Sequence, residues 1–197
     1  MHIEKLVSLP PRTGRHLQRY NKEFRQVVGC IPYRIRNTNK SPLVHGKTEE
    51  LEVLLITSQK SQRLMFPKGG WELDENIEFA AIRETLEEAG VVGVLGDKLG
   101  EWIFKSKSKD KLHEGSVFPL LVDEELDIWP EKNLRRRIWM TVSEAREACA
   151  HSWMKEALDA FVERLTVRRF VMCGTEELRL GIGSQAADEE SDCYLVS

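Results

Sequence analysis

Cysteine is scarce in this chain and none of it is patterned for chemistry. Cys30, Cys149, Cys173 and Cys193 are the only four in 197 residues. There is no CxxC pair and no Cys-His run at zinc-finger spacing, which favours free thiols in a reducing compartment. Long apolar runs are missing too. None approaches the roughly 18 residues that a membrane span needs, so no membrane is expected. Between Met1 and Pro11 there is no roughly 7–15-residue apolar stretch ahead of a small-residue cleavage site, which excludes a secretory signal. The five histidines form no HExxH, and no P-loop lysine motif occurs. Gly181-Ile-Gly-Ser-Gln-Ala186 imitates a dinucleotide-binding loop, but too little chain follows for a βαβ unit.

Net charge is small, −3, with 41% hydrophobic and 31% charged residues, so a core is available and the chain is neither disordered nor fibrous. The average conceals a contrast. Residues 1–40 hold nine Lys/Arg against two Asp/Glu, while the remaining 157 hold 20 against 30. Any anion site must therefore be local. The cytoplasm or nucleus is the expected location, although Arg12, Arg15, Arg19 and Arg25 leave mitochondrial or plastid import open.

Three segments are expected: a basic N-terminal leader over 1–23, a catalytic domain over 24–165 and a mostly mobile acidic tail over 166–197, with the run DEESD at Asp188–Asp192. Val27–Arg36 reads as a strand in which Pro32, lacking an N–H, points to an edge or bulged position. Leu51–Ser58 is a clearer strand. Phe66–Trp71 reads as an irregular turn because of Pro67, Gly69 and Gly70. A helix is expected from about Glu75 to Ala89, stopped by Gly90, with Phe79, Ile82, Leu86 and Ala89 as its apolar stripe. Further strands fit Leu99–Lys105, Ser116–Val122 and Arg137–Val142; a short helix capped by Ser143 and a last helix over Trp153–Leu165 follow. Strands around one long helix, with helices at the end, predict an α/β or α+β fold.

The strongest chemical feature is Gly69–Val91. Glu84, Glu87 and Glu88 are i, i+3 and i+4, so their carboxylates share one side of the helix, opposite the apolar stripe. Such like charges repel. A solvated helix face tolerates that, but Gly69-Gly70, Arg83 and Gly90 in register favour a hard Mg²⁺ or Mn²⁺ ion held by carboxylates. Gly69 and Gly70 let backbone approach the ion, and Arg83 can lock a carboxylate through a bidentate pair. These parts suit metal-assisted hydrolysis, with a nearby glutamate taking a proton from water.

Gly69, five residues, Glu75, seven residues, Arg83-Glu84, then Glu87-Glu88, Gly90 and Val91 resembles the Nudix box of the Nudix hydrolases, with Thr85 where a bulky aliphatic residue is usual. The resemblance implies a Nudix-type α/β/α sandwich with a mixed sheet and hydrolysis of a diphosphate linked to another moiety. It further implies Glu84 and Glu88 as metal ligands, Glu87 as ligand or base, the Gly69 carbonyl as a further ligand, and Arg83 and Glu75 as orienting groups. Roughly Phe24–Phe161 is similar to the diphosphoinositol polyphosphate phosphohydrolase branch, especially its plant members, through Arg25–Arg34, Phe66–Trp71 and Arg135–Trp139.

Such a substrate demands a basic pocket. Candidates are Arg25, Lys68 with Gly70 beside it, Lys105, Lys107, Lys109 and Lys111, and an exposed triplet Arg135, Arg136 and Arg137 anchored by Trp139. The expected partner is a small polyphosphate, with no nucleic-acid polymer; oligomeric state stays open. Dinucleoside polyphosphates or nucleoside diphosphate derivatives are the alternative substrates, and a non-catalytic phosphate-ligand binder is the third reading.

Overall fold

A run of β-branched and aliphatic residues from Phe24 sets the axis of the molecule, as strand β2 (Phe24–Thr38). The computed structural model describes residues 14, 16–38, 48–59, 61–105 and 111–181. Arg12 and Arg15 of the basic leader, Lys107, Lys109 and the acidic run Asp188–Asp192 lie outside them. Around β2 lie β1 (Tyr20–Asn21), β3 (Thr48–Thr57), β4 (Leu64–Met65), β5 (Lys68–Gly70), β6 (Val91–Leu95), β7 (Gly100–Lys105), β8 (Leu112–Glu125) and β9 (Arg137–Thr141), with helices α1 (Ile77–Ala89), α2 (Val142–Ala148) and α3 (Ser152–Gly181).

These strands form one mixed sheet in the order β4-β3-β2-β8-β6, with β1 and β5 also on β2, β7 on β8 and β9 on β3. Only β2 and β8 run parallel; every other pair is antiparallel. Strand alternation assigns the two faces. Val28 and Cys30 of β2, Leu54 and Ile56 of β3 and Phe118 and Leu120 of β8 pack with Ala80, Ala81 and Ala89 of α1. The opposite face carries Tyr33, which meets Phe161 of α3 at 4.9 Å between ring centroids. Helices on both faces of a mixed sheet are the α/β/α arrangement expected from sequence. The chain divides after Phe161 into the sheet-bearing unit and a second unit, residues 162–197. No helix among the described residues is long and apolar enough to cross a membrane.

Several local expectations are corrected. Pro32 lies in the central strand, not at an edge, because its missing N–H falls where β2 passes from one partner to the next: pairing to β5 ends at Gly29 and pairing to β3 begins at Tyr33. Lys68–Gly70 is regular structure after all, pairing with Val27–Gly29. Gly29 permits it, since a Cβ there would lie 2.5 Å from the Pro67 carbonyl oxygen. α1 starts at Ile77 under an Asn76 cap whose side chain accepts from the Phe79 N–H. α2 is capped by Thr141, not Ser143, in a reciprocal capping box with Glu144. The last helix runs to Gly181 instead of Leu165.

The apolar face of α1 keeps Leu86 and Ala89 of the expected stripe and adds Ala80, Ala81 and Thr85. Ala80, Ala81, Thr85 and Ala89 are fully buried, while Phe79 and Ile82 are half-buried beside Leu86 and Val92. Small residues let α1 lie close to the sheet, and Thr85 fits this tight layer because its hydroxyl donates to the Ala81 carbonyl at 2.7 Å. Cys30 packs against the same carbonyl, and burial pushes its thiol pKa up to about 12, so it behaves as a small apolar residue.

Gly90 ends α1 in the left-handed region at φ 61°, and a Cβ there would lie 2.5 Å from the Trp129 ring. Gly90→Ala is expected to destabilise the fold by about 2–4 kcal/mol, through positive φ and overpacking together. Urea denaturation measures this; a loss below about 0.5 kcal/mol, typical of neutral surface changes, would contradict the packing described.

Candidate active site

The site is assembled where α1 faces β5. Arg83, buried at 4% exposure, uses its whole guanidinium there. Its Nε donates to Glu75 at 2.9 Å and one terminal nitrogen donates to Glu75 at 2.7 Å and to the Gly70 carbonyl at 3.0 Å. The other donates to Glu84 at 2.8 Å and Glu87 at 3.4 Å. The fork-to-carboxylate pair is the strong bidentate type, and it explains the 75–83 spacing: Glu75 precedes the helix and folds back over its second turn. Glu75 also accepts the Glu72 N–H at 3.1 Å, while its carbonyl accepts the Trp71 indole N–H at 3.0 Å. The turn and the helix therefore hold each other.

Gly69 is required by contact. A Cβ there would lie 1.8 Å from a Glu84 carboxylate oxygen. A Cβ on Gly70 would meet Gln18 at 2.2 Å and Arg25 at 2.8 Å. Arg25 is held by Gln18, to which its Nε donates at 2.7 Å. Lys68 is half-buried, and its backbone N–H donates to Glu88 at 2.8 Å. Arg135 is the second cation on Glu88: one terminal nitrogen donates to that carboxylate, the other to the Thr57 carbonyl at 3.1 Å, and its Nε to Glu131.

Burial shifts these groups together. It pushes Glu87 up to about 7, reinforced by the neighbouring charge of Glu84. Glu88 also rises to about 7 through burial, opposed by Arg135 and Lys68. Glu84 is raised chiefly by burial, and Lys68 is lowered for the same reason. Clustered carboxylates whose charge is costly at neutral pH are the donor set a hard divalent ion would relieve, and the Gly69 contact leaves Glu84 open to backbone approach. By donor chemistry the residues fit Mg²⁺ or Mn²⁺. Among the described residues, however, no three acidic, His or Cys side chains converge as a ready-made cluster; Glu84 is turned to Arg83 and Glu88 to Arg135.

Of the residues expected from sequence, Gly69, Gly70, Glu75, Arg83, Glu84, Glu87, Glu88, Arg25, Lys68 and Arg135 come together. The arginine triplet does not act as one exposed group. Arg135 is buried, Arg136 is exposed and donates to Gln62, and Arg137 donates to the Gly90 carbonyl at 3.0 Å while covering Trp129 at 4.0 Å. Trp139 does not anchor the triplet; it stacks under Arg34 at 4.1 Å. Sequence reasoning missed Glu131, which only its i, i+4 spacing to Arg135 signals, and Gln18, which nothing signals.

Beside Lys68 opens a cleft of about 280 Å³ lined by Ser58, Ser61, Arg63, Leu64, Met65, Lys68, Phe104, Lys105, His113, Ala150, His151, Trp153 and Met154. None of these carries a carboxylate. His113 and His151 belong to this wall.

A carboxylate helix locked to a glycine turn on an α/β/α sandwich defines a mixed-sheet scaffold with an acidic, oxygen-donor site. Comparison with known proteins narrows the class. The NUDIX domain family model matches residues 42–161. Nudix hydrolase 17, mitochondrial, of Arabidopsis thaliana is 58% identical over 166 residues, covering 84% of this chain and 89% of that protein. This chain belongs to the Nudix hydrolase family, enzymes acting on phosphorus-containing anhydrides. Diphosphoinositol polyphosphate phosphohydrolase 3-alpha of Mus musculus is 40% identical over 99 residues, covering 49% of this chain and 58% of its own length. The crystal structure of a C. elegans Ap4A hydrolase binary complex shares the fold, with a TM-score of 0.53 at 22% identity over 72% of this chain and 97% of that one.

The raised carboxylates give a signed pH effect. Glu87 holds its proton up to about 7 in the fold against an ordinary value of 4.5, so the folded state binds more protons in that window and stability falls as pH rises through it. In EDTA, Tm should fall over that window more steeply for the wild type than for Glu87→Gln, and added Mg²⁺ should recover Tm at the upper end. Parallel Tm profiles for the two proteins would contradict the assignment.

Proposed function

We propose that this protein is an Mg²⁺- or Mn²⁺-dependent pyrophosphohydrolase that removes the terminal phosphate of diphosphoinositol polyphosphates by water attack. The observation that carries the reading is the cleft beside Lys68. Arg63, Lys68, Lys105, His113 and His151 line it with no carboxylate among the lining residues, which suits a ligand bearing many phosphates. Lys68 joins this cleft to Glu88, so a ring phosphate can sit in the cleft while the diphosphate lies against the glutamates.

Each residue then has a task. Glu84 and Glu88, with the Gly69 carbonyl, would hold the ion. A divalent ion bound there neutralises phosphate charge and lowers the pKa of a bound water. Lys68, Arg25 and Arg135 bring positive charge to the diphosphate. Glu87, raised to about 7, is suited to take a proton near neutral pH as the water oxygen attacks the terminal phosphorus and the anhydride P–O bond breaks. Arg83 and Glu75 orient the glutamates without touching substrate. This assignment of Glu87 as base is part of the proposal.

A second reading rests on Phe104 and Trp153, stacked at 4.6 Å in the same cleft. An aromatic wall can receive a nucleotide base, which would make dinucleoside polyphosphates the substrate. The two readings separate experimentally. Arg63→Ala and His151→Ala should each raise KM for a diphosphoinositol polyphosphate by about tenfold with kcat little changed, as expected when a binding contact is lost. Glu88→Gln should abolish turnover. An unchanged KM in both cleft variants, or turnover of dinucleoside polyphosphates alone, would defeat the inositol reading.

A further inference from the structure

Arg135 is more than a phosphate ligand in waiting. It comes from the loop before β9, lies buried at 9% exposure and spends its guanidinium on Glu88, Glu131 and the Thr57 carbonyl. Glu88 is engaged at both oxygens in return, one by Arg135 and the other by the Lys68 N–H.

We propose that Arg135 is a placeholder cation on Glu88, a contact that a divalent ion must displace to take that carboxylate. The inference rests on the metal-site reading above and adds a competitor to it. Its physical basis is that a buried carboxylate left without a counter-charge is costly, and Arg135 supplies that charge to Glu88. Arg135 suits the exchange because Glu131 and Thr57 still hold its guanidinium after Glu88 departs. Such a competitor lowers apparent ion affinity by the free energy of the contact it must surrender. Arg135 is thus a positioning residue for Glu88, and the sign of its effect differs from that of a structural support. Removing a support weakens ion binding; removing a competitor strengthens it.

The test is Mn²⁺ titration of the full chain without substrate, following free Mn²⁺ by electron paramagnetic resonance. Arg135→Gln should bind Mn²⁺ about tenfold more tightly than the wild type, on the scale of a lost charge-assisted hydrogen bond. Arg136→Ala removes the same charge from the neighbouring exposed position and should stay within about twofold, because it breaks no contact with Glu88. Circular dichroism checks the fold. If Arg135→Gln does not fold, Arg135→Lys decides: it keeps the charge but loses the fork, and it should bind Mn²⁺ several-fold more tightly. Equal or weaker binding in the folded variant overturns the placeholder. A wild type that binds no Mn²⁺ overturns the metal-site reading itself, a result distinguishable from the first.

Discussion

One guanidinium organises the site. Arg83 is buried between the β5 turn and α1, and it bonds to Glu75, Glu84, Glu87 and the Gly70 carbonyl at once. Burial opposes its charge, but the bonds from Glu75 and the field of Glu84 outweigh that cost and push its pKa up, so it stays protonated. Without it, the carboxylates of Glu75, Glu84 and Glu87 would crowd one helix and its approach without the guanidinium they share. With it, repulsion among the glutamates becomes a fixed geometry, and the closeness of Gly69 to Glu84 follows from the same anchoring.

The other end of α1 is held by a different set of contacts. The Leu126 N–H and the Arg137 guanidinium donate to the Gly90 carbonyl, and the Glu131 N–H donates to the Glu87 carbonyl at 3.1 Å. A cation at a helix C-terminus is favourable to the helix dipole, and Trp129 packed on Gly90 seats it. The loop that makes these contacts also carries Arg135 to Glu88. Support of the helix and charge control of its last glutamate therefore come from one short segment, which connects the stability of the fold to the chemistry of the site.

What could be read from sequence was local. Glu84, Glu87, Glu88 and Arg83 announce themselves because helical spacing puts them within one turn, and the bounds of most strands follow from β-branched runs. What depended on distant partners was not legible. The tight glycine-permitted approach of Pro67–Gly70 to β2 hid a strand inside an apparent turn. The burying face of α1 is only half legible: Leu86 and Ala89 of the expected stripe are buried, but Ala80, Ala81 and Thr85, weak signals of burial, meet the sheet more closely than Phe79 does. Arg135 looked like an exposed cation beside two others, and only its partners Thr57 and Glu88, 78 and 47 residues away in the chain, reveal it as buried. Of the cleft wall, Lys68 and Lys105 are legible in the sequence as basic-pocket candidates, whereas Arg63, His113 and His151, from separate segments, have no sequence signature.

The most direct measurement compares kcat, Mn²⁺ affinity and unfolding free energy for Arg83→Lys. Lysine keeps the charge but cannot span Glu75, Glu84 and Gly70 together. If the guanidinium fork sets the carboxylate frame, kcat should fall by about a hundredfold, near 2.7 kcal/mol of barrier, with weakened Mn²⁺ binding in a chain that still folds. Wild-type kcat and Mn²⁺ affinity in Arg83→Lys would show that charge alone suffices and would contradict the account.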